Sequence, residues 1–206
     1  MGRASNAVVF GFLAISASEA QAERPAMTIR VLNQAQLSSG KMGKMERYVG
    51  KALEAIDVDV KWVDCAANVE ACKPVRGANE FWLRILAQDA PDVLSGRDLV
   101  GFTQRGDTAE DRIQCINIFE PMIERLAERN HIDSHDLLGA AVVHEVGHMY
   151  LGANSKAHSK TGIMRGVWTH REYELVSIGE LRFSHEQGEE IRSAMNMDRK
   201  VDLRRR

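Results

Sequence analysis

Four prolines in 206 residues and three cysteines are little of either. So few prolines exclude collagen-like and polyproline chains, and so few cysteines exclude a small scaffold held by many disulfides. Charge of one sign is also missing. The net charge of −2 gives no reason to expect a nucleic-acid partner. No apolar run reaches the roughly 20 residues that a membrane span requires, and no internal repeat is visible. What remains is ordinary globular composition, 44% hydrophobic and 27% charged, in a length that suits one domain with a real core.

The first 22 residues read as a secretory signal. Arg3 gives a positive start, Ala7 to Ile15 is a short apolar core, and Ala20-Gln21-Ala22 has the small-x-small form of a cleavage site. The expectation is a secreted or periplasmic protein whose one domain spans residues 23–206. Export permits disulfides. Cys65 and Cys72 flank a short segment after an expected strand and are the favoured pair. Cys115 lies in the apolar run Ile113 to Ile118 and reads as a buried free thiol. Pairing of Cys115 with either of the others stays open at this stage.

The organising stretch is Ala140 to Met164. It contains His144, Glu145 and His148 in an H-E-x-x-H pattern inside an apolar, proline-free segment. Histidines four apart on a helix share a face, so both rings reach one metal ion. Gly152 marks the helix end, and His158 follows the turn. A catalytic zinc site uses three protein ligands and keeps one position for water. His144, His148 and His158 supply the ligands, leaving Glu145 as general base. Zinc-activated water attacking a peptide carbonyl, with Glu145 passing its proton to the leaving amine, is the expected chemistry. His170 is a rival third ligand, and Glu172, Glu174 or Glu189 would make a two-histidine, one-carboxylate set. His131, His135 and His185 read as surface or capping residues.

Around this segment the apolar periodicity predicts an α/β chain with a mostly parallel five-stranded sheet. Strands are expected at Thr28–Leu32, Val58–Val63, Phe81–Ala87, Leu99–Thr103 and Ile113–Ile118, and a loop at Gln104–Asp111. Helices are expected over Met42–Ile56, Phe119–Arg129 and about His135–Leu151, the last capped by Asp133 or Ser134. Ala153–Thr169 reads as a loop. A final helix begins at Ser184, where Ser184 and Gln187 fit a capping box, and runs to about Met197.

The motif H144-E-V-G-H148, the glycine turn, H158-S159 and G162-I163-M164, followed by Trp168, resembles the metzincin clan of zinc metallopeptidases, and more narrowly a group of secreted bacterial proteins. The order of elements from Thr28 to Met197 is similar too, although only Ala140 to Trp168 is motif-specific. The resemblance implies a zinc peptidase acting on a peptide or protein substrate, with no membrane span and as a monomer. It implies that Met164 sits in a Met-turn beneath the metal, and that an extended substrate adds to the strand at Leu99–Thr103. Trp168 is read as core packing ahead of a pocket wall. The chain departs from the clan in spacing: Gly152 stands four residues after His148, His158 six after Gly152, and Gly166 where some members carry tyrosine. A non-catalytic zinc-binding or partner-recognition protein on the same fold, and a narrow hydrolase of cell-wall peptides, are the other readings. No cysteine precedes the first strand to act as a propeptide switch.

Overall fold

A computed structural model describes residues 24–66, 72, 77, 79–91, 99–105, 114–152 and 157–203. The secretory signal read at residues 1–22 lies outside them, as do Ile113 and most of the Gln104–Asp111 loop. Five strands form one sheet: β1 (Ala26–Asn33), β2 (Asp59–Asp64), β3 (Glu80–Leu86), β4 (Gly101–Arg105) and β5 (Gln114–Phe119). Their spatial order is β2-β1-β3-β5-β4. Every neighbouring pair is parallel except β4 with β5, so the single antiparallel strand stands at one edge.

The strand pattern explains the layers. In β1, Met27, Ile29 and Val31 alternate inward and the residues between them are partly exposed. The parallel register sets Ile29 beside Phe81 and Val31 beside Leu83, and Leu83 and Ile85 beside Ile116 and Ile118. These buried rows make one face of the sheet the floor of the core. Each such side chain contributes about 1.5–3 kcal/mol when fully buried.

Between β1 and β2 runs α1 (Ser39–Glu54), started by Ser38, whose hydroxyl accepts from the Lys41 N–H at 3.3 Å. Its stripe Met45, Tyr48, Val49, Ala52 and Leu53 is buried. After β5, α2 (Glu120–Asn130) begins with Pro121, which suits a first-turn position, and ends at His131 in the left-handed region. Then comes α3 (Ser134–Leu151). Buried residues occur on every side of it, from Leu137 to Met149, so it is the central helix of the core rather than a surface one. It packs against α1, α2, β4 and β5. Asp133 is its N-cap, but the Asp133 side chain makes no capping hydrogen bond. Asp133 and Asp136 lie 3.9 and 3.5 Å from the His135 ring instead.

Several boundaries differ from expectation by a residue or two, the ordinary uncertainty of ends that fray. β4 starts at Gly101 rather than Leu99 and takes in Gln104 and Arg105, which had read as loop. One element was not foreseen: α4 (His170–Ser177). It is two turns long, too short for its period to stand out. Its start is nevertheless marked, because the Glu172 carboxylate turns back to accept from the Thr169 N–H at 2.8 Å. The capping box at Ser184 and Gln187 forms as expected, with N–H to side-chain distances of 2.9 and 3.2 Å, and opens α5 (His185–Leu203). Cys65 and Cys72 form a disulfide just beyond β2, and Cys115 is free and buried on β5. Among the described residues no helix is long and apolar enough to cross a membrane.

Candidate metal centre

One turn of α3 places His144 and His148 on the same face, with Nε2 atoms 3.1 Å apart. His158, six residues beyond Gly152, comes to the same point, its Nε2 3.1 Å from that of His148. All three ligand atoms lie within 4.8 Å of one another. His144 and His148 are partly buried, whereas His158 stands exposed at the rim.

The other ring nitrogens fix how these imidazoles can act. His144 Nδ1 lies 2.7 Å from the Ile163 carbonyl, and His148 Nδ1 lies 2.9 Å from the Gly152 carbonyl. A carbonyl only accepts, so in both rings Nδ1 carries the proton and donates it. In neutral rings both Nε2 atoms are then lone pairs that face each other. Burial holds the His144 pKa down to about 4; the His148 and His158 rings act in the same sense, against the Ile163 hydrogen bond. A protonated ring is thus disfavoured as a way to relieve that facing, whereas a shared cation relieves it. Zinc with bonds of 2.0–2.1 Å in tetrahedral array would set its donors about 3.3 Å apart. The donor set fits zinc in number and type, and the two separations of 3.1 Å are close to that spacing.

A short hairpin of loop carries the support. Arg165 N–H donates to the Gly162 carbonyl at 3.1 Å, closing a turn over Gly162–Arg165, and Ser159 N–H donates to the Met164 carbonyl at 2.9 Å. The turn is pinned to the segment before α5 by Ile163 N–H to the Arg182 carbonyl, 3.1 Å. The Ile163 carbonyl then serves two donors, His144 and the Trp168 indole N–H at 3.3 Å. Trp168 stands edge-on to His144 with centroids 6.0 Å apart and packs on the core. Met164 is fully buried below, its sulphur against Gly147 of α3.

Glu145 points from the neighbouring helix position into nearly dry surroundings; it is 4% exposed. Burial raises its carboxyl pKa, and a hydrogen bond from Thr103 and the His148 ring oppose the rise. Thr103 reaches in from β4, its Oγ1 2.7 Å from Glu145 Oε2.

The rival third ligands are elsewhere. His170 is exposed and pairs with Glu174 at 3.3 Å, and His185 is exposed and pairs with Glu189 at 3.5 Å. Glu172 is spent on its helix cap and on Arg165, 3.4 Å away. Of the seven histidines, only His144, His148 and His158 converge. Three contributors had no mark in the sequence: the backbone carbonyls of Ile163 and Gly152, and the Thr103 hydroxyl. No family model matches this chain, and no curated protein matches it.

Proposed function

We propose that the chain is a secreted zinc-dependent peptidase of metzincin type. The observation that carries this reading is the convergence of the Nε2 atoms of His144, His148 and His158, at successive spacings of 3.1 Å, with a buried carboxyl beside them. Such a set holds a divalent ion through three neutral imidazoles and keeps a separate acid–base group. The α/β scaffold, with a lone antiparallel strand at the edge next to the central helix, agrees with the clan's architecture. The N-terminal signal pattern and the Cys65–Cys72 disulfide support export.

When bound, zinc supplies a Lewis acid that makes water acidic near neutral pH and polarises a carbonyl. His144, His148 and His158 would hold it. Ile163 and Gly152 orient two of those rings and fix their tautomers. Glu145 takes a proton from the attacking water and returns it to the departing amine. Its raised pKa brings it toward the operating range of a group that must both accept and donate. Met164 packs under the helix face that bears the ligands.

The test is a matched pair of measurements on the purified mature chain. Zinc content should be one per chain, and a denatured protein mixture should be cleaved in a chelator-sensitive way. Glu145→Gln should keep the zinc and lose about 100- to 10,000-fold in rate. A chain that binds zinc, cleaves nothing and is indifferent to Glu145→Gln would instead be the non-catalytic partner-recognition protein.

A further inference from the structure

The edge strand β4 and helix α3 meet at a polar contact between Thr103 and Glu145. Thr103 Oγ1 lies 2.7 Å from Glu145 Oε2 and 3.0 Å from the Glu145 backbone carbonyl. A hydroxyl has one proton to give, and Oε2 is the nearer acceptor. Thr103 is held by the ladder, opposite Ile116 of β5, so the place of its hydroxyl is set by the sheet and not by the helix. Among the described residues, no hydrogen bond to Glu145 Oε1 is formed.

We infer that Thr103 is a positioning residue for Glu145: it occupies Oε2, fixes the plane of the carboxyl, and leaves Oε1 as the atom that takes the proton from water. The inference rests on the peptidase reading and adds which oxygen does the work and what holds it. A glutamate side chain turns about three bonds. With Glu145 4% exposed, loss of the Thr103 donor lets the carboxyl leave the reactive orientation. The balance of the step is simple. Water loses a proton to Oε1, its oxygen bonds to the peptide carbon, and the same proton goes to the nitrogen as the C–N bond breaks.

Thr103→Val removes the hydroxyl and keeps the shape, while Thr103→Ser keeps the hydroxyl. With zinc-loaded protein and labelled casein as the probe, Thr103→Val should lower kcat about 10- to 100-fold. KM should stay within about twofold and zinc content should not change. Thr103→Ser should recover most of the rate. A crystal structure of Thr103→Val should show the Glu145 carboxyl displaced or split between two rotamers while the three histidine rings stay in place. An unmoved carboxyl overturns the inference whether or not the chain cleaves casein, and so does a Thr103→Val kcat equal to wild type. Failure of the peptidase reading looks different: wild type and Glu145→Gln then give the same rate.

Discussion

The sulphur of Met164 fills the space that a side chain on Gly147 would need. A Cβ built on Gly147 would stand 2.2 Å from Met164 Sδ and 3.0 Å from the Phe183 ring. The glycine inside the H-E-V-G-H motif is thus the means by which the Met164 turn presses against the helix that carries the ligands. Gly147→Ala sets two effects against each other. Helix propensity favours alanine by about 1 kcal/mol. Overpacking a filled core costs about 1–3 kcal/mol, and Met164 is fully buried. The expected outcome is net destabilisation by about 1 kcal/mol, read as a lower urea midpoint at unchanged m-value. Gly147→Ala combined with Met164→Ala should lose less than the sum of the two single changes, because truncating Met164 opens the space that the added methyl needs, and that methyl fills part of the cavity left behind.

A second prediction follows from the lowered basicity of the ligands. Burial first, then the neighbouring rings, hold the His144 pKa near 4, and burial followed by His148 lowers that of His158. Protons and zinc compete for the same lone pairs. A depressed pKa keeps the ligand form populated as the pH falls, so competition at these two rings sets in below the ordinary histidine value of about 6.5. Zinc affinity should therefore fall only shallowly between pH 7.5 and about 6 and steeply closer to 4. Competition against a chelator across that range checks it. A fall that begins near pH 6.5 with the slope of three protons contradicts it.

Much of this architecture could be read before any coordinates, for identifiable reasons. The stripe Met45, Tyr48, Val49, Ala52 and Leu53 announces α1 because one helix face is buried and the other wet. The run from Leu137 to Met149 has no such contrast, since it is buried all round; the histidine spacing betrays it instead. His158 could be proposed from proximity in sequence, but its choice over His170 depends on where the loop after Gly152 turns back. What stayed illegible is of two kinds. Backbone carbonyls such as that of Ile163 look alike in every residue, so their role as ring-orienting acceptors leaves no trace. The Thr103–Glu145 contact joins residues 42 apart through a strand pairing whose register depends on the whole sheet.

The thiols give a third prediction. The Cys65–Cys72 bridge closes a short loop, with a sequence separation of 7. Loop-closure entropy makes such a bridge worth about 2.5 kcal/mol at most. Cys65→Ser with Cys72→Ser should lower stability by about that amount without emptying the metal site, since neither cysteine is among the converging ligands. Cys115 should remain unreactive toward a thiol reagent in the native state, because burial both shields its sulphur and raises its pKa. On unfolding, one thiol should titrate in the oxidised chain. Rapid labelling of the folded protein would mean that this strand is open to solvent.

The fourth prediction isolates His158 without altering it. A Cβ on Gly166 would lie 2.7 Å from His158 Nδ1 and 3.1 Å from its Cγ. The ring therefore rests on bare backbone at this position. Gly166→Ala must push the ring away, and because His158 is exposed at the rim, the ring can yield without disturbing the core. The expected result is weaker zinc binding, by roughly 10- to 100-fold as for loss of a ligand's outer support, with thermal stability of the metal-free chain nearly unchanged. His158→Ala should weaken zinc further, and His170→Ala should not weaken it at all, since His170 faces solvent beside Glu174. If Gly166→Ala and His158→Ala both leave zinc affinity at the wild-type value, His158 is no ligand. The ion would then be held by His144 and His148 with a donor from some other part of the chain.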